Sequence, residues 1–204
     1  MKTTYIKNGT KLLTLVFVAF ALSASLTSCK KKPKKEAPTE IKTLNNSVEV
    51  TLPFESKEYK SDKDFFRARQ SGKSPDLSTA QKIAEQNAKA ALAGNIQATI
   101  KRVTDQYTNQ RSVANKQDFE NKFEELSREV VNLTLHDLNP MAQKVFKETD
   151  GAFTVWVVYE ANRQTVLSAL NNKISSDAKL QLDYDKMKFE QIFNQEMEKL
   201  SNGQ

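Results

Sequence analysis

The side chains best able to do chemistry in this chain are few and scattered. There is one Cys, Cys29, and one His, His136. That pair is too small a set for a structural zinc site, and a single Cys leaves no intrachain disulfide framework. His136-Asp137 is the one place where an imidazole adjoins a carboxylate. General acid–base work needs such a pair in a pocket with a further partner; just before Asn139-Pro140 it reads instead as a solvated loop. Asp183-Tyr184-Asp185 opens like a calcium loop but lacks the central Gly and the closing Glu, and reads as the polar face of a final helix. Glu124-Glu125 and Glu196/Glu198 are expected on exposed helix faces that do not converge. Lys101-Arg102, with Tyr107 and Arg111, mixes basic and aromatic residues as nucleic-acid surfaces do, but reads more simply as a solvated strand and loop. Five Gly leave little room for a phosphate-cradling loop, and no hydrolase nucleophile motif is present. The reading therefore assigns no catalytic residue, no metal and no cofactor.

Cys29 is different because of what precedes it. The chain opens with Lys2, Lys7 and Lys11 and no acid, continues with the apolar run LLTLVFVAFAL over 12–22, and reaches Cys29 through small residues. A basic head, a short apolar stretch and a small-residue exit define a secretory signal peptide. The run is shorter than the ~20 apolar residues a spanning helix requires. The exit, Leu26-Thr27-Ser28-Cys29, resembles the bacterial lipobox: an aliphatic residue, two small residues, then Cys. The resemblance implies cleavage behind Ser28 and acylation of the Cys29 sulfur, which would make Cys29 a lipid-anchored N-terminus.

Beyond Cys29 come Lys30, Lys31, Lys32, Lys34 and Lys35, with Pro33 among them. Such a run cannot bury a core and is expected to stay extended and disordered. Two readings stand for it: a plain spacer, or a stalk lying on anionic headgroups, where each Lys near the surface adds ~1 kcal/mol. The stalk is basic rather than acidic, which favours a periplasm-facing attachment. Residues 1–35 hold eight of the 31 basic residues and none of the 25 acidic ones. The overall +6 thus becomes −2 over 36–204, and the folded part offers no general basic field for nucleic acid.

The elements that would position these residues follow from pattern. Residues 48–54 alternate as a half-buried strand, with Pro53 placing it at an edge or an end. Ser74-Pro75-Asp76 reads as a helix start with Ser as the cap. Leu77, Ala80, Ile83, Ala84, Asn87, Ala88, Ala91 and Leu92 follow at helical spacing, on a small face suited to close packing on a sheet. Gly94 and Asn95 read as its terminator. From about 96 to 107 the alternation reads as a strand, with continued helix as the rival. Asp118 reads as the cap of a second helix carrying Phe119, Phe123, Leu126 and Val130; 131–135 suit either its end or a strand. Residues 141–149 and 152–160 flank Asp150-Gly151, the pair preferred in a two-residue hairpin turn, and the second arm is apolar enough to be a central strand. A third helix is expected over 162–173 and a fourth over 177–201. The apolar positions of the last, Phe189, Phe193 and Met197 among them, suit either packing on the domain or an envelope-protein partner.

Two stretches also resemble a known family: Phe66-Arg67-Ala68-Arg69-Gln70-Ser71-Gly72 with the Ala-rich segment 77–96, and Gly151-Ala152-Phe153-Thr154-Val155-Trp156-Val157-Val158-Tyr159 with the helix after it. Together they are similar to the small bacterial lipoproteins named for a twenty-kilodalton membrane-associated lipoprotein antigen, over roughly 65–174. The resemblance implies a compact domain tethered to the envelope and transfers no catalytic residue. The combined expectation has three parts. Residues 1–28 are a signal peptide, 29–46 a lipidated stalk, and 47–204 one α+β domain of helices on a small antiparallel sheet, with a long C-terminal helix. The expected role is non-catalytic, structural or protein-interacting, at the outer membrane. A ligand- or cell-wall-binding domain, or an enzyme with an unrecognised site, is the alternative.

Overall fold

The computed structural model describes residues 43–44, 47–111, 115–136 and 138–202. The expected signal peptide, the Leu26-Thr27-Ser28-Cys29 motif and the stalk lysines lie outside the described residues. Thr43 and Leu44, which the sequence assigned to the stalk, form β1 (Thr43–Leu44) and pair antiparallel with β2 (Ser47–Val48). There follow a 3-10 turn (Lys57–Tyr59), β3 (Phe65–Ser74), α1 (Leu77–Gln110), α2 (Lys116–His136), β4 (Pro140–Lys147), β5 (Phe153–Asn162), α3 (Arg163–Ser176), α4 (Ala178–Asp183) and α5 (Lys186–Ser201). The fold is α+β: a three-stranded antiparallel sheet in the order β3-β5-β4, with helices packed on it and a C-terminal helix.

β5 is the central strand, as its continuous apolarity requires. Its residues 155, 157, 159 and 161 face α1 and enter the core, while Thr154, Trp156, Val158 and Glu160 face the other way. Its partner β3 repeats the period of two, with Phe66 and Ala68 buried between outward Arg67 and Arg69. The pattern in the sequence does not mark this strand, because its arginines outweigh a short alternation. The hairpin joining β4 to β5 is present but wider than expected. Gly151 N–H donates to the Glu148 carbonyl (3.0 Å) and Glu148 N–H to the Ala152 carbonyl (2.8 Å). Only Gly151 has positive φ (84°), so this is a three-residue loop closed by a glycine rather than a two-residue turn with both residues left-handed.

α1 corrects the sequence reading most. It runs unbroken through Gly94 to Gln110, and residues 96–107 are helix. Ala80, Ala84, Ala88, Leu92, Ile96, Ile100, Val103 and Tyr107 are all buried along it at spacings of three and four. The stripe is hard to see because Ala and Thr occupy much of it; the Thr99 and Thr104 hydroxyls bond back to the carbonyls of Asn95 and Ile100. Its cap is Asp76, which accepts from Thr79 N–H at 2.8 Å, and Ser74 ends β3 instead. The first half of α1 lies directly on the sheet: a Cβ on Gly72 of β3 would sit 2.4 Å from the Ala80 carbonyl and 2.5 Å from the Ala84 nitrogen. The second half packs on α2 and α5.

Other ends differ by the same kind of local chemistry. Asn115, not Asp118, begins α2: its side chain accepts from Asp118 N–H (3.3 Å) and donates to the Asp118 carboxylate (2.6 Å). Residues 131–135 are the end of α2. The single helix expected over 177–201 is two, capped by Asp177 and Asp185. The break is held by Tyr107, whose hydroxyl donates to the Asp183 carbonyl (2.6 Å) and accepts from Asp185 N–H (2.7 Å). Residues 49–54 do not form the expected strand beyond β2: Pro53 and Phe54 form a turn, with Phe54 at φ 63°. That is a left-handed conformation which a bulky residue adopts only under constraint.

Candidate functional site

The residues singled out for chemistry do not assemble into one centre. His136 is the exposed last residue of α2, and Asp137 lies outside the described residues. Asp183 and Asp185 flank the α4–α5 break rather than a helix face. The Asp185 carboxylate caps Lys188 N–H and accepts from Arg111 (2.9 Å), and these bonds hold it below the ordinary carboxylate range. Tyr107 is buried and Arg102 pairs across to α5, so Lys101, Arg102, Tyr107 and Arg111 make no common patch. Glu124 pairs with Arg128 along α2. Among the described residues no three His, Cys, Asp or Glu converge as a metal site, and no helix is long and apolar enough to cross a membrane.

Glu196 overturns an expectation. The sequence placed it on an exposed face, yet it is 3 % exposed in the seam between α1 and α5. Gln106 (2.6 Å), Arg102 (3.2 Å) and Lys199 donate to it. Burial pushes its pKa up, but the bonds from Lys199, Gln106 and Arg102 outweigh that and hold it below the usual glutamate value. Nearby, Tyr107, Phe119, Phe123, Tyr184 and Phe189 form one aromatic cluster, with Tyr184 bonded to Asn171 and Asn171 to Glu190 (2.8 Å). Burial raises the Tyr184 phenol far above its ordinary value. This end of the molecule is a structural clasp: its polar groups bond one another. The C-terminal helix thus packs on its own domain, with Phe189, Phe193 and Met197 buried, and its apolar stripe is not available to an outside partner.

Besides a groove of about 400 Å³ between α2 and α4 around Phe119, Lys122 and Leu180, two grooves among the described residues are roomy enough for a ligand. One of about 440 Å³ lies between α1 and α2, lined by Lys101, Thr104, Glu120, Glu124 and Arg128 among others. Two carboxylates of the α1–α2 groove are already engaged, Glu124 with Arg128 and Glu120 with the Thr108 hydroxyl (2.8 Å), whereas Lys101 and Asp105 make no ion pair among the described residues. The other, about 450 Å³, lies on the outer sheet face around Phe54, Tyr59, Arg67 and Arg69. There Arg67 donates to Glu160 (2.9 Å), Asp62 (2.6 Å) and the Lys60 carbonyl (2.8 Å). Its charge is spent on the fold. Among the described residues no buried side-chain nitrogen or oxygen lacks a partner.

What remains open is an edge. The free edge of β3 is closed by side chains: Ser61 bonds both the N–H and the carbonyl of Arg67, Asn95 donates to the same carbonyl, and Asn87 donates to that of Ser71. Such covering blunts a strand edge. Among the described residues β4 has no equivalent. Past the bulge between Pro140 and Ala142, its residues pair only with β5, and most are exposed. Val145 (46 %) faces the helix side, opposite Val155, while Phe146 (44 %) and Lys144 face the outer side with Thr154 and Trp156. Edge position is set by pairings distant in sequence, so no local signal predicted it.

Comparison with known proteins adds no relative: neither family models, nor curated proteins, nor solved structures match the chain.

Proposed function

We propose that this chain is a lipid-anchored lipoprotein of the cell envelope with a non-catalytic, protein-interacting role at the outer membrane, facing the periplasm. The observation that carries the reading is Leu26-Thr27-Ser28-Cys29 directly behind a basic head and an apolar run, with the chain's only Cys at the acceptor position. Each buried acyl methylene is worth ~0.8 kcal/mol, so two or three chains moor a protein durably. The resemblance of 65–174 to the small lipoprotein family supports the same reading. The interaction surface is the open β4 edge, since the apolar stripe of α5 is already buried.

The test is Cys29→Ser in cells fed a labelled fatty acid. The expected outcome is loss of label, retention of the leader and release of the protein from the lipid-anchored membrane fraction. Unchanged labelling and fractionation would reject the anchor.

A further inference from the structure

The open edge of β4 and the unpaired arm at 49–52 complement each other. Glu49, Val50, Thr51 and Leu52 continue directly from β2, alternate polar and apolar, and make no hydrogen bond to the rest of the domain. Val50 is 70 % exposed and Leu52 38 %, so an apolar side of a would-be strand is in water. On β4 the exposed apolar residue of the helix side is Val145, and the outer side carries Lys144. β4 has two cations, Lys144 and Lys147, and no acid. The arm has the anion Glu49 and no base. Laid along the edge with Val50 and Leu52 on the Val145 side, the arm brings Glu49 to the Lys144 side.

The arm does not take this place in its own chain. Its base is pinned on the outer sheet face: the Pro53 carbonyl accepts from Arg69 at 2.9 Å, Phe54 is buried in a left-handed turn, and Lys144 lies 5.2 Å from the Phe54 ring centre. A pinned, conformationally constrained base beside a free strand invites exchange between copies. We propose that two copies of this chain exchange arms, residues 49–52 of each adding a strand to the β4 edge of the other. The obvious competitor is β4 pairing with a second β4. It gathers four lysines and no acid along one ladder and leaves both arms exposed, and like charges brought together across a ladder are unfavourable. The arm exchange sets Glu49 toward Lys144 and brings Val50 and Leu52 to the side of Val145, with Phe146 on the opposite side.

The experiment uses full-length protein with Cys29→Ser, so that introduced thiols are the only ones, and adds Val50→Cys or Val145→Cys at exposed positions that tolerate the change. Mild oxidation of the two variants mixed is expected to give a covalent dimer at twice the monomer mass, with neither variant dimerising alone. A dimer from Val145→Cys alone would mean β4–β4 pairing, and a dimer from Val50→Cys alone would mean arm–arm pairing; either overturns the proposal. So does absence of a dimer in the mixture, or a purely intrachain disulfide in the Val50→Cys/Val145→Cys double variant. Light scattering gives an independent reading: a dimeric mass that Val50→Asp lowers to monomer while circular dichroism stays unchanged. A monomeric mass before substitution also overturns the exchange.

Discussion

At Glu196 a carboxylate sits almost out of reach of water and stays charged because three donors from α1 and α5 surround it. Its folded pKa lies below the ordinary value, so its contribution to stability is complete above the pH where an unfolded Glu titrates and is lost as pH falls through the lowered folded value. Glu196→Gln should therefore cost about 1–3 kcal/mol near neutrality and flatten the dependence of stability on pH in the acid range. Urea midpoints of the two proteins, measured from neutral pH downward, should converge as the wild-type carboxylate protonates. A constant gap at all pH values would show that the charge is not what the seam uses. Glu196 was misread from sequence because its neighbours in the chain, Gln195 and Glu198, are exposed. The partners that make its burial affordable, Arg102 and Gln106, are some ninety residues away in the chain.

The two glycines that meet α1 show what an element's surroundings decide. Gly94 is in the helix interior, and a Cβ there would meet nothing within 4 Å. Gly94→Ala should stabilise the protein by about 0.5–1 kcal/mol, since the glycine carries only its backbone-entropy cost. Gly72→Ala should do the opposite, by about 1–3 kcal/mol, because helix backbone occupies the space. Thermal melts of both variants check the pair of signs. Elements marked by strong local chemistry were legible in the sequence. Asp150-Gly151 located the hairpin, the apolar run of β5 marked a central strand, and a helix was expected over 162–173, where α3 lies. Elements that depend on distant partners were not. The α4–α5 break has neither Gly nor Pro and exists because a Tyr107 hydroxyl 76 residues away satisfies both sides of it. The second half of α1 hid because alanine and threonine bury well without looking apolar.

Across the whole domain, α1 belongs to both parts of the core. Ala80, Ala84 and Ala88 lie on the sheet, Val103 and Tyr107 among the helices, and all join one buried cluster. The two parts should accordingly melt together. Trp156, the only tryptophan, reports on the sheet, while far-ultraviolet dichroism reports mostly on the helices. Their urea transitions should coincide; a fluorescence transition preceding the dichroism would show that the sheet unfolds separately. The same shared helix restricts how the gene can change in length. Inserting one residue at Gly94 turns everything after it by about 100°. That would carry Ile96, Ile100 and Tyr107 away from α2 and α5 even though no side chain had been replaced. Insertions or deletions within α1 are tolerable only in steps that nearly restore the rotational phase, such as about seven residues, whereas the hairpin loop at 148–152 carries no such phase to preserve.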